Sequence, residues 1–280
     1  MQVIRPMLFT EAIEKLDSQS PIASRLNTEQ WRTLPAALRE NAFFSATIEN
    51  ARFLQKGRDF IGDFLSGARE TLPNGDTMLK AGSRAEFVKQ MQDFAIQNGM
   101  GPLDPKDEGT LTDIRSETRL SLIFNTKTAQ AKEHGYWKQG MDPDVLDEFP
   151  ASRFIREVET TTPRAIHQQN EGVVRLKTDV DFWTAMNSPS IGGFGVPWPP
   201  FGFNSGMGLE DCDRDEAERL GLISPGERLR PVEREFNDKL EASAMHLDED
   251  MRAKLKEEFG DQIDIEDDRV RWKKKPEAAS

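Results

Sequence analysis

Apolar side chains recur at helical spacing through much of the first quarter of the chain. Between residues 35 and 67 the recurring positions are Phe44, Ile48, Ala51, Leu54, Ile61 and Phe64. Residues three and four apart lie on one face of an α-helix, so this pattern predicts a single long amphipathic helix. Pro35 suits its first turn, where a missing N–H costs nothing, and Gly67 is a suitable stop. We expect the aromatic side chains of this helix to pack in a core.

A further helix is predicted after a short loop. Asn74 and Gly75 form a turn signal, and Ser83 with Glu86 matches the spacing of a capping box. The apolar residues that follow on one helical face are Phe87, Met91 and Phe94. Residues 98–109 are rich in Gly, Pro and Asp, which indicates a linker.

A second long helix is predicted to begin at Thr112 or Asp113 and to end near Lys138. Four of its residues would share one face, with small side chains that allow another element to approach: Leu122, Thr126, Ala129 and Tyr136. We expect this helix to support the segment that follows it.

Residues 153–208 combine strand-like segments with a loop. Residues 153–176 carry β-compatible Phe, Val and Leu positions, and Pro163 and Gly172 argue against a helix there. Residues 192–208 contain six glycines and three prolines, which predicts an irregular loop. Four aromatic residues predict that this loop packs against the preceding long helix: Phe194, Trp198, Phe201 and Phe203.

The last part of the chain is highly charged. Residues 232–258 carry a thin apolar stripe at helical spacing, which predicts a helix that a partner surface completes. A basic cluster with one tryptophan follows, at Arg269, Arg271, Trp272, Lys273, Lys274 and Lys275. Because cations contact DNA phosphates and an indole can stack on a base, this cluster is a candidate DNA contact. The alternatives are contact with an acidic protein face and a disordered, solubilising end.

Together these patterns predict a predominantly helical α+β protein in three parts. Residues 1–105 form a helical N-terminal region, and residues 106–224 a small strand-containing module with the Gly/Pro/aromatic loop. Residues 225–280 form a charged helical tail with a basic C-terminus.

Composition narrows the classes of protein to which this chain can belong. It has 280 residues, a net charge of −12 and a single cysteine, Cys212. The negative charge disfavours a general coat for duplex nucleic acid, and one cysteine excludes an internal disulfide and a Cys-rich zinc site. No apolar run approaches the ~20 residues of a membrane helix, and no signal-peptide pattern opens the sequence. We therefore expect a soluble protein that is cytoplasmic when made.

The central module carries one cluster of chemically versatile residues. Arg164, His167, Asn170 and Glu171 lie close together in the sequence. One interpretation makes His167 an acid–base group oriented by Glu171 or Glu159. The other is a polar network that fixes a turn, with the histidine bonded to a backbone carbonyl. Since no second His, Cys or Ser nucleophile is nearby, the structural interpretation is favoured.

Glu157 and Glu159 form a second candidate site, because alternate residues of a strand face the same side. ADP-ribosyltransferases use two glutamates at this spacing beside an arginine and a Ser-Thr-Ser strand. That Ser-Thr-Ser element is missing from this sequence, and the chain contains 49 acidic residues. A solvated face is therefore favoured.

Metal and cofactor sites are not predicted. His134, His167 and His246 are widely separated, and no two have the spacing of metal ligands. The candidates for a hard cation lie in sequence that is usually solvated: Asp179, Asp181, Asp211 and Asp213. The sequence contains no Walker A motif and no G-x-G-x-x-G after a strand.

A specific order of elements runs from Arg119 to Asn204. A helix RLSLIFNTKTAQAKEHGYW comes first, then a strand, an Arg-x-x-His element, a glycine, an aromatic segment and a Pro-Pro loop that ends in Asn. This order resembles the head morphogenesis proteins of tailed phages, typified by protein F of phage Mu. The module-defining or interaction candidates are Arg164, His167, Gly172, Trp183, Trp198, Pro199, Pro200 and Asn204. Many family members follow the Asn with Cys-x-Cys, whereas this chain has Ser205-Gly206.

The resemblance implies a structural role, with no catalytic residue, cofactor or metal. A minor head protein of this kind acts in capsid assembly at the portal or the inner capsid face, and in DNA packaging or ejection. Its partners would be portal and capsid proteins, with packaged DNA at the basic C-terminus, and its location the virion and, during assembly, the host cytoplasm.

The alternative is an injected effector enzyme, an ADP-ribosyltransferase or a nuclease, that uses Arg164, His167 and Glu157 or Glu159. Such an enzyme needs an open cleft in which these side chains converge, whereas a filled junction favours the assembly protein.

Overall fold

The structure of this protein is a computed structural model. It describes residues 10–21, 26–27, 39, 42–43, 45, 47–48, 50–102, 104–232, 241–243, 253, 256, 263–266 and 269–272. The fold is α+β and predominantly helical, as the sequence predicts. In the described residues, no helix is both long enough and apolar enough to cross a membrane.

Three helices dominate the N-terminal part. Its elements are α1 (Thr10–Asp17), β1 (Ser20–Pro21), β2 (Ala42–Phe43), α2 (Ala51–Ser66), β3 (Arg69–Thr71), β4 (Thr77–Leu79) and α3 (Arg84–Gln97). The predicted turn at Asn74 and Gly75 connects the antiparallel strands β3 and β4, and Gly75 has a φ of 88°. Among the described residues from 98 to 109, Pro105–Asp107 form a 3-10 turn and the others lie in no helix or strand.

The central part surrounds a 24-residue helix. Its elements are α4 (Glu117–Gly140), α5 (Pro143–Glu148), β5 (Ala151–Arg156), α6 (Ala165–Asn170), β6 (Val174–Leu176), α7 (Val180–Met186), β7 (Met207–Cys212) and α8 (Arg214–Arg219). A second 3-10 turn occupies Pro189–Ile191. Helix α4 begins after the N-cap Ser116, whose Oγ accepts from the Arg119 N–H at 3.1 Å, and not at Thr112 or Asp113 as predicted.

The prediction of one continuous helix over residues 35–67 is wrong. Strand β2 pairs with β1 in parallel, Thr47 has a φ of 60°, and α2 begins only at Ala51. Asn50 caps this helix, because its Oδ1 accepts from the Phe53 N–H at 3.0 Å. The apolar periodicity before the cap reflects burial in one core, as Ile48 shows, and not helical continuity. The predicted stop at Gly67 is confirmed by its φ of 59°. Pro35 and Phe44 lie outside the described residues.

The predicted N-terminus of α3 is confirmed. Ser83 Oγ accepts from the Glu86 N–H at 3.2 Å, and the Glu86 carboxylate accepts from the Gly82 N–H at 3.0 Å. The side chain of Glu86 therefore satisfies a donor one residue before the one expected in a capping box. Phe87 and Met91 are buried, as the helical spacing predicts.

Aromatic contacts join α2, α3 and α4 into the N-terminal core. The ring centroids of Phe60 and Phe87 are 5.4 Å apart, and those of Phe87 and Phe124 are 5.2 Å apart. Phe64 meets Phe124 edge to face at 5.0 Å. Gly57 of α2 lies beside Met91 of α3, where a Cβ would be 3.4 Å from the Met91 methyl group.

The central module is built on a three-stranded antiparallel sheet in the order β6-β5-β7. The expectation that no helix forms within residues 153–176 is wrong, since α6 lies between β5 and β6. Pro163 precedes this helix and Gly172 follows it with a φ of 83°. The two residues therefore bound the helix and do not prevent it. Buried on the sheet is a small aromatic core: Phe154, Trp183, Met186, Phe201 and Met207.

The predicted apolar face of α4 is also wrong. Tyr136, on the predicted face, is 58% exposed. The buried residues of the helix are different ones, among them Leu120, Phe124, Thr128 and Ala131. Helix α4 packs against the N-terminal helices on one side and against the Gly/Pro/aromatic loop on another. A helix that is covered on several sides has no single apolar stripe.

The charged tail contains strands. β8 (Glu241–Ser243), β9 (Ile263–Glu266) and β10 (Arg269–Trp272) form an antiparallel sheet in the order β8-β10-β9. The prediction of a helix over residues 232–258 is therefore wrong at β8, although Ala253 and Lys256 are helical.

We predict that Asn50→Ala lowers the free energy of unfolding by about 1 kcal/mol, because α2 loses the acceptor for its Phe53 N–H. Urea denaturation followed by circular dichroism measures the change. The matched control is Asn125→Ala, an exposed position inside α4, where alanine favours the helix and should not destabilise it. Equal effects of the two substitutions would contradict the role of the cap.

Candidate functional site

Arg164 connects two distant parts of the central module. Its Nε donates to the Ile191 carbonyl at 2.7 Å, and its Nη2 donates to the Phe203 carbonyl at 3.1 Å. The guanidinium therefore holds both ends of the Gly/Pro/aromatic loop against the start of α6. This geometry agrees with a structural use of the side chain.

His167 lies in the aromatic core of the same module. It is fully buried, and its ring centroid is 5.5 Å from that of Phe154. Nε2 donates to the Met186 carbonyl at 2.8 Å, because a carbonyl oxygen can only accept. The prediction that this histidine bonds a backbone carbonyl is confirmed. Burial lowers the pKa of His167, and the charges of Arg164 and Arg156 add to the shift, so the ring is neutral at neutral pH.

Asn187 organises the loop and was not singled out from the sequence. Its side chain is fully buried, and its Nδ2 donates to the Trp198 carbonyl at 2.9 Å and to the Pro200 carbonyl at 3.3 Å. Its Oδ1 accepts from the Phe194 N–H at 2.8 Å. The only sequence signal is a polar residue just after an aromatic helix. That signal is weak because Asn is common at helix ends.

The approach of the loop to Asn187 requires glycine. A Cβ at Gly193 would lie 2.2 Å from the Asn187 carbonyl oxygen, a distance that no side chain can tolerate. The Gly195 N–H then donates to the same carbonyl at 2.7 Å. One residue thus fixes the loop with its backbone and with its side chain.

The predicted packing of the loop on α4 is confirmed. The Trp198 ring centroid is 4.8 Å from that of Trp137 and 5.0 Å from that of His134, both on α4. Trp183 lies instead in the core of the sheet, where its Nε1 donates to the Leu176 carbonyl at 2.9 Å. Trp183 is therefore part of the core of the module, whereas Trp198 joins the loop to α4.

The remaining candidates of the module have separate positions. The Gly172 N–H donates to the Phe154 carbonyl at 2.7 Å. Pro199 and Pro200 are joined by a cis peptide bond. Asn204 has a φ of 52° and lies at the end of the loop, where it lines a cavity of about 540 Å³.

The two glutamates after β5 do not form a strand pair. The strand ends at Arg156, and Glu157 and Glu159 are exposed beyond it, so the same-face expectation is wrong. Glu171, the other suggested partner of His167, forms an ion pair with Arg156 at 3.0 Å. None of these three carboxylates has a described contact with His167. The arrangement proposed for the alternative enzyme is therefore not assembled at this histidine.

A different glutamate lies beside Glu157. Glu133 of α4 and Glu157 line a cavity of about 480 Å³, the acidic cavity, together with Trp137, Trp198 and Asp211. Burial raises the pKa of Glu133 to about 7, and the charge of Glu157 adds to this effect. Such a carboxyl group can hold or release a proton near neutral pH.

Three of the four aspartates considered for a hard cation have local structural uses. Asp179 caps α7 and Asp213 caps α8, each by accepting a backbone N–H. Asp211 forms an ion pair with Lys177 at 2.9 Å. Across the part of the chain that the structure describes, no three His, Cys, Asp or Glu residues form a group that could hold a metal ion.

Cys212 and the C-terminal basic cluster complete the candidate residues. Cys212 is buried, and burial raises the pKa of its thiol to about 11, which disfavours the reactive thiolate. Arg269, Arg271 and Trp272 lie in β10. Lys273, Lys274, Lys275 and His246 lie outside the described residues. DNA contact by this cluster stays a prediction.

Comparison with known proteins adds no relative: no family model, no curated protein and no solved structure matches this chain.

We predict that Asn187→Ala lowers the free energy of unfolding by about 3 kcal/mol. The substitution leaves two buried carbonyls and the Phe194 N–H without their partner, and each such loss costs about 1 kcal/mol or more. Chemical denaturation measures the change. In the control Asn170→Ala, a single bond to the Ile166 carbonyl is lost, so the cost should be about 1 kcal/mol. Equal costs would show that Asn187 does not organise the loop.

We predict that Glu133→Gln stabilises the protein in a pH-dependent manner. The folded pKa of about 7 exceeds the ordinary value of 4.5, so ionisation opposes folding increasingly from pH 4.5 and fully above pH 7. The variant should match the wild type at pH 4 and exceed its stability at pH 8 by about 3 kcal/mol. Denaturation at the two pH values tests this, with Glu159→Gln as the exposed control. A pH-independent difference would contradict the shift.

Proposed function

We propose that this protein is a structural minor head protein of a tailed phage or prophage. It acts in capsid assembly at the portal or the inner capsid face, and in DNA packaging or ejection. The observation that carries the proposal is the set of hydrogen bonds that Arg164 and His167 form. Both side chains of the Arg-x-x-His element bond to backbone carbonyls, and His167 is fully buried. Residues used in this way determine the shape of a module, which is what the resemblance implies for them.

The order of elements in the resemblance supports the same proposal. Helix α4, strand β5, the Arg-x-x-His element, Gly172 and the Pro-Pro loop pack against one another as one unit. Each of these elements therefore contributes to one compact structure. This shared packing is a physical reason for the elements to occur together in the sequence. Elements that merely followed one another along the chain would give no such support.

The surface offers apolar side chains for partners of the kind proposed. Tyr136 of α4 and Val158, just after β5, each expose more than half of their surface. Portal and capsid proteins that cover these positions would complete the burial of the module.

A second candidate function rests on the acidic cavity. Glu133 and Glu157 lie close enough to interact electrostatically, and the raised pKa of Glu133 is typical of an acid–base group. An injected effector enzyme would use these carboxylates, while Arg164 and His167 would only support the fold. This differs from the alternative enzyme suggested by the sequence, in which His167 itself reacts.

Two substitutions separate the proposals. We predict that His167→Ala destabilises the protein by about 3 kcal/mol, since it removes a buried ring and its bond to the Met186 carbonyl. Incorporation into phage particles should fall accordingly. Glu133→Gln should leave incorporation and phage yield unchanged. Mass spectrometry of purified particles and co-purification with the portal protein provide the measurements.

The proposal fails if the wild-type chain is absent from both particles and portal fractions. It also fails if Glu133→Gln assembles normally and yet abolishes a measurable turnover, because the enzyme would then be the better description. A His167→Ala protein that folds and assembles at wild-type levels would remove the observation on which the proposal rests.

A further inference from the structure

Two Asn-Gly pairs lie on the surface of the protein. They are Asn74-Gly75, in the turn between β3 and β4, and Asn98-Gly99, directly after α3. All four residues are exposed, so water reaches both pairs. The sequence contains no third Asn-Gly pair, and the functions proposed above use neither of these two.

Asparagine followed by glycine can lose its side-chain amide without an enzyme. The backbone nitrogen of the glycine gives its proton to water or hydroxide and attacks Cγ of the asparagine, which closes a succinimide ring. The side-chain nitrogen leaves as ammonia, and water then opens the ring at either carbonyl to give aspartate or isoaspartate. Glycine favours the attack, because it has no Cβ and its backbone is the least restricted. Water is the only co-reactant.

In the folded protein both glycine nitrogens are engaged in turns. The Gly75 N–H donates to the Leu72 carbonyl at 2.9 Å, and the Gly99 N–H donates to the Ile96 carbonyl at 3.1 Å. Each N–H has to leave its acceptor before it can lose its proton and attack. The rate of ring closure therefore depends on the free energy of local opening at each turn.

The hairpin of β3 and β4 can open without exposing the core. Every residue of the two strands is exposed, and among the described strands they pair only with each other. A two-stranded hairpin is marginally stable at best in water. Asn74 is held by exposed bonds, since its Nδ2 donates to Asp76 Oδ2 at 2.8 Å and its Oδ1 accepts from the Asp76 N–H at 3.1 Å. Opening this turn is therefore cheap.

The end of α3 is attached to the N-terminal core. Asn98 Nδ2 donates to the Phe94 carbonyl at 2.8 Å, and the Met100 N–H donates to the Ala95 carbonyl at 2.9 Å. Ala95 is fully buried, and Phe94 and Met100 pack against the same core. To free the Gly99 nitrogen, the last turn of α3 has to unwind and withdraw these side chains. That opening costs free energy in proportion to the apolar area it exposes.

We propose that Asn74 is a site of spontaneous deamidation in the folded protein, and that Asn98 is protected from it. The reacting groups of the two pairs are the same, so the difference comes from the structure that surrounds them. The product replaces a donor to Asp76 by a carboxylate, and isoaspartate also lengthens the backbone of the turn. The site does not depend on the role proposed for the protein.

Peptide mapping by mass spectrometry tests the proposal on the full chain, incubated near neutral pH. Asn74 should convert about tenfold faster than Asn98 or more, because opening free energies range from about zero at exposed turns to the full stability in a core. Both aspartate and isoaspartate should form at position 74. Equal rates at the two positions, or a faster conversion of Asn98, would overturn the proposal. Aspartate as the sole product would exclude the succinimide and overturn the mechanism.

Two controls separate the effect of structure from that of the neighbouring sequence. In guanidinium chloride the chain is unfolded, and the two pairs should convert at similar rates. If Asn74 keeps its advantage there, the flanking residues cause it and the structural assignment is wrong. Asn74→Gln lengthens the side chain beyond the succinimide geometry, so it should abolish conversion at this position and leave Asn98 unchanged. A persistent product in the same peptide would place the reaction elsewhere.

Hydrogen exchange measures the opening itself and needs no chemical conversion. Both reactions proceed through the opened turn, so the Gly75 amide should exchange about tenfold faster than the Gly99 amide, or more, once intrinsic rates are divided out. Comparable protection of the two amides would show that the hairpin opens no more readily than the end of α3, and the proposal would be wrong.

Discussion

The hydrogen bonds of the buried Asn187 amide are the interaction on which the central module depends. The loop from Phe194 to Pro200 has no regular structure, so its backbone groups cannot satisfy one another as they would in a helix or a sheet. The amide takes up one N–H and two carbonyls of that loop. These bonds hold the backbone beside Trp198, whose indole packs against Trp137 and His134 of α4.

The position of Trp198 in turn shapes both cavities. Its indole lines the acidic cavity on one side and a cavity of about 540 Å³ on the other. On α4 the two titratable groups that face them, Lys127 and Glu133, have pKa values that are shifted in opposite directions by the same cause, burial. Each shift favours the neutral form, so a helix that served packing alone would gain stability from apolar residues at both positions.

The sequence predicts the features that depend on local chemistry. The cap at Ser83, the stop at Gly67 and the bond from His167 to a carbonyl follow from residue type and spacing, and all three are confirmed. It fails where tertiary contacts override a pattern. Phe43 and Ile48, before Asn50, enter the same core as α2, although Phe43 lies in β2 and Thr47 has a φ of 60°. Asn187 and Glu133 were missed because their importance depends on what surrounds them, which one sequence does not contain.

The Arg-x-x-His element acts on the shape of the module. Arg164 donates from Nε and Nη2 to the carbonyls of Ile191 and Phe203, and His167 donates from Nε2 to the Met186 carbonyl. These three bonds join α6 to the end of α7, to the 3-10 turn that follows it and to the end of the loop. Glu133 differs from both residues, because burial and the charge of Glu157 raise its pKa to about 7 beside the acidic cavity. For this reason the element supports an architectural role, whereas the acidic cavity carries the second candidate function.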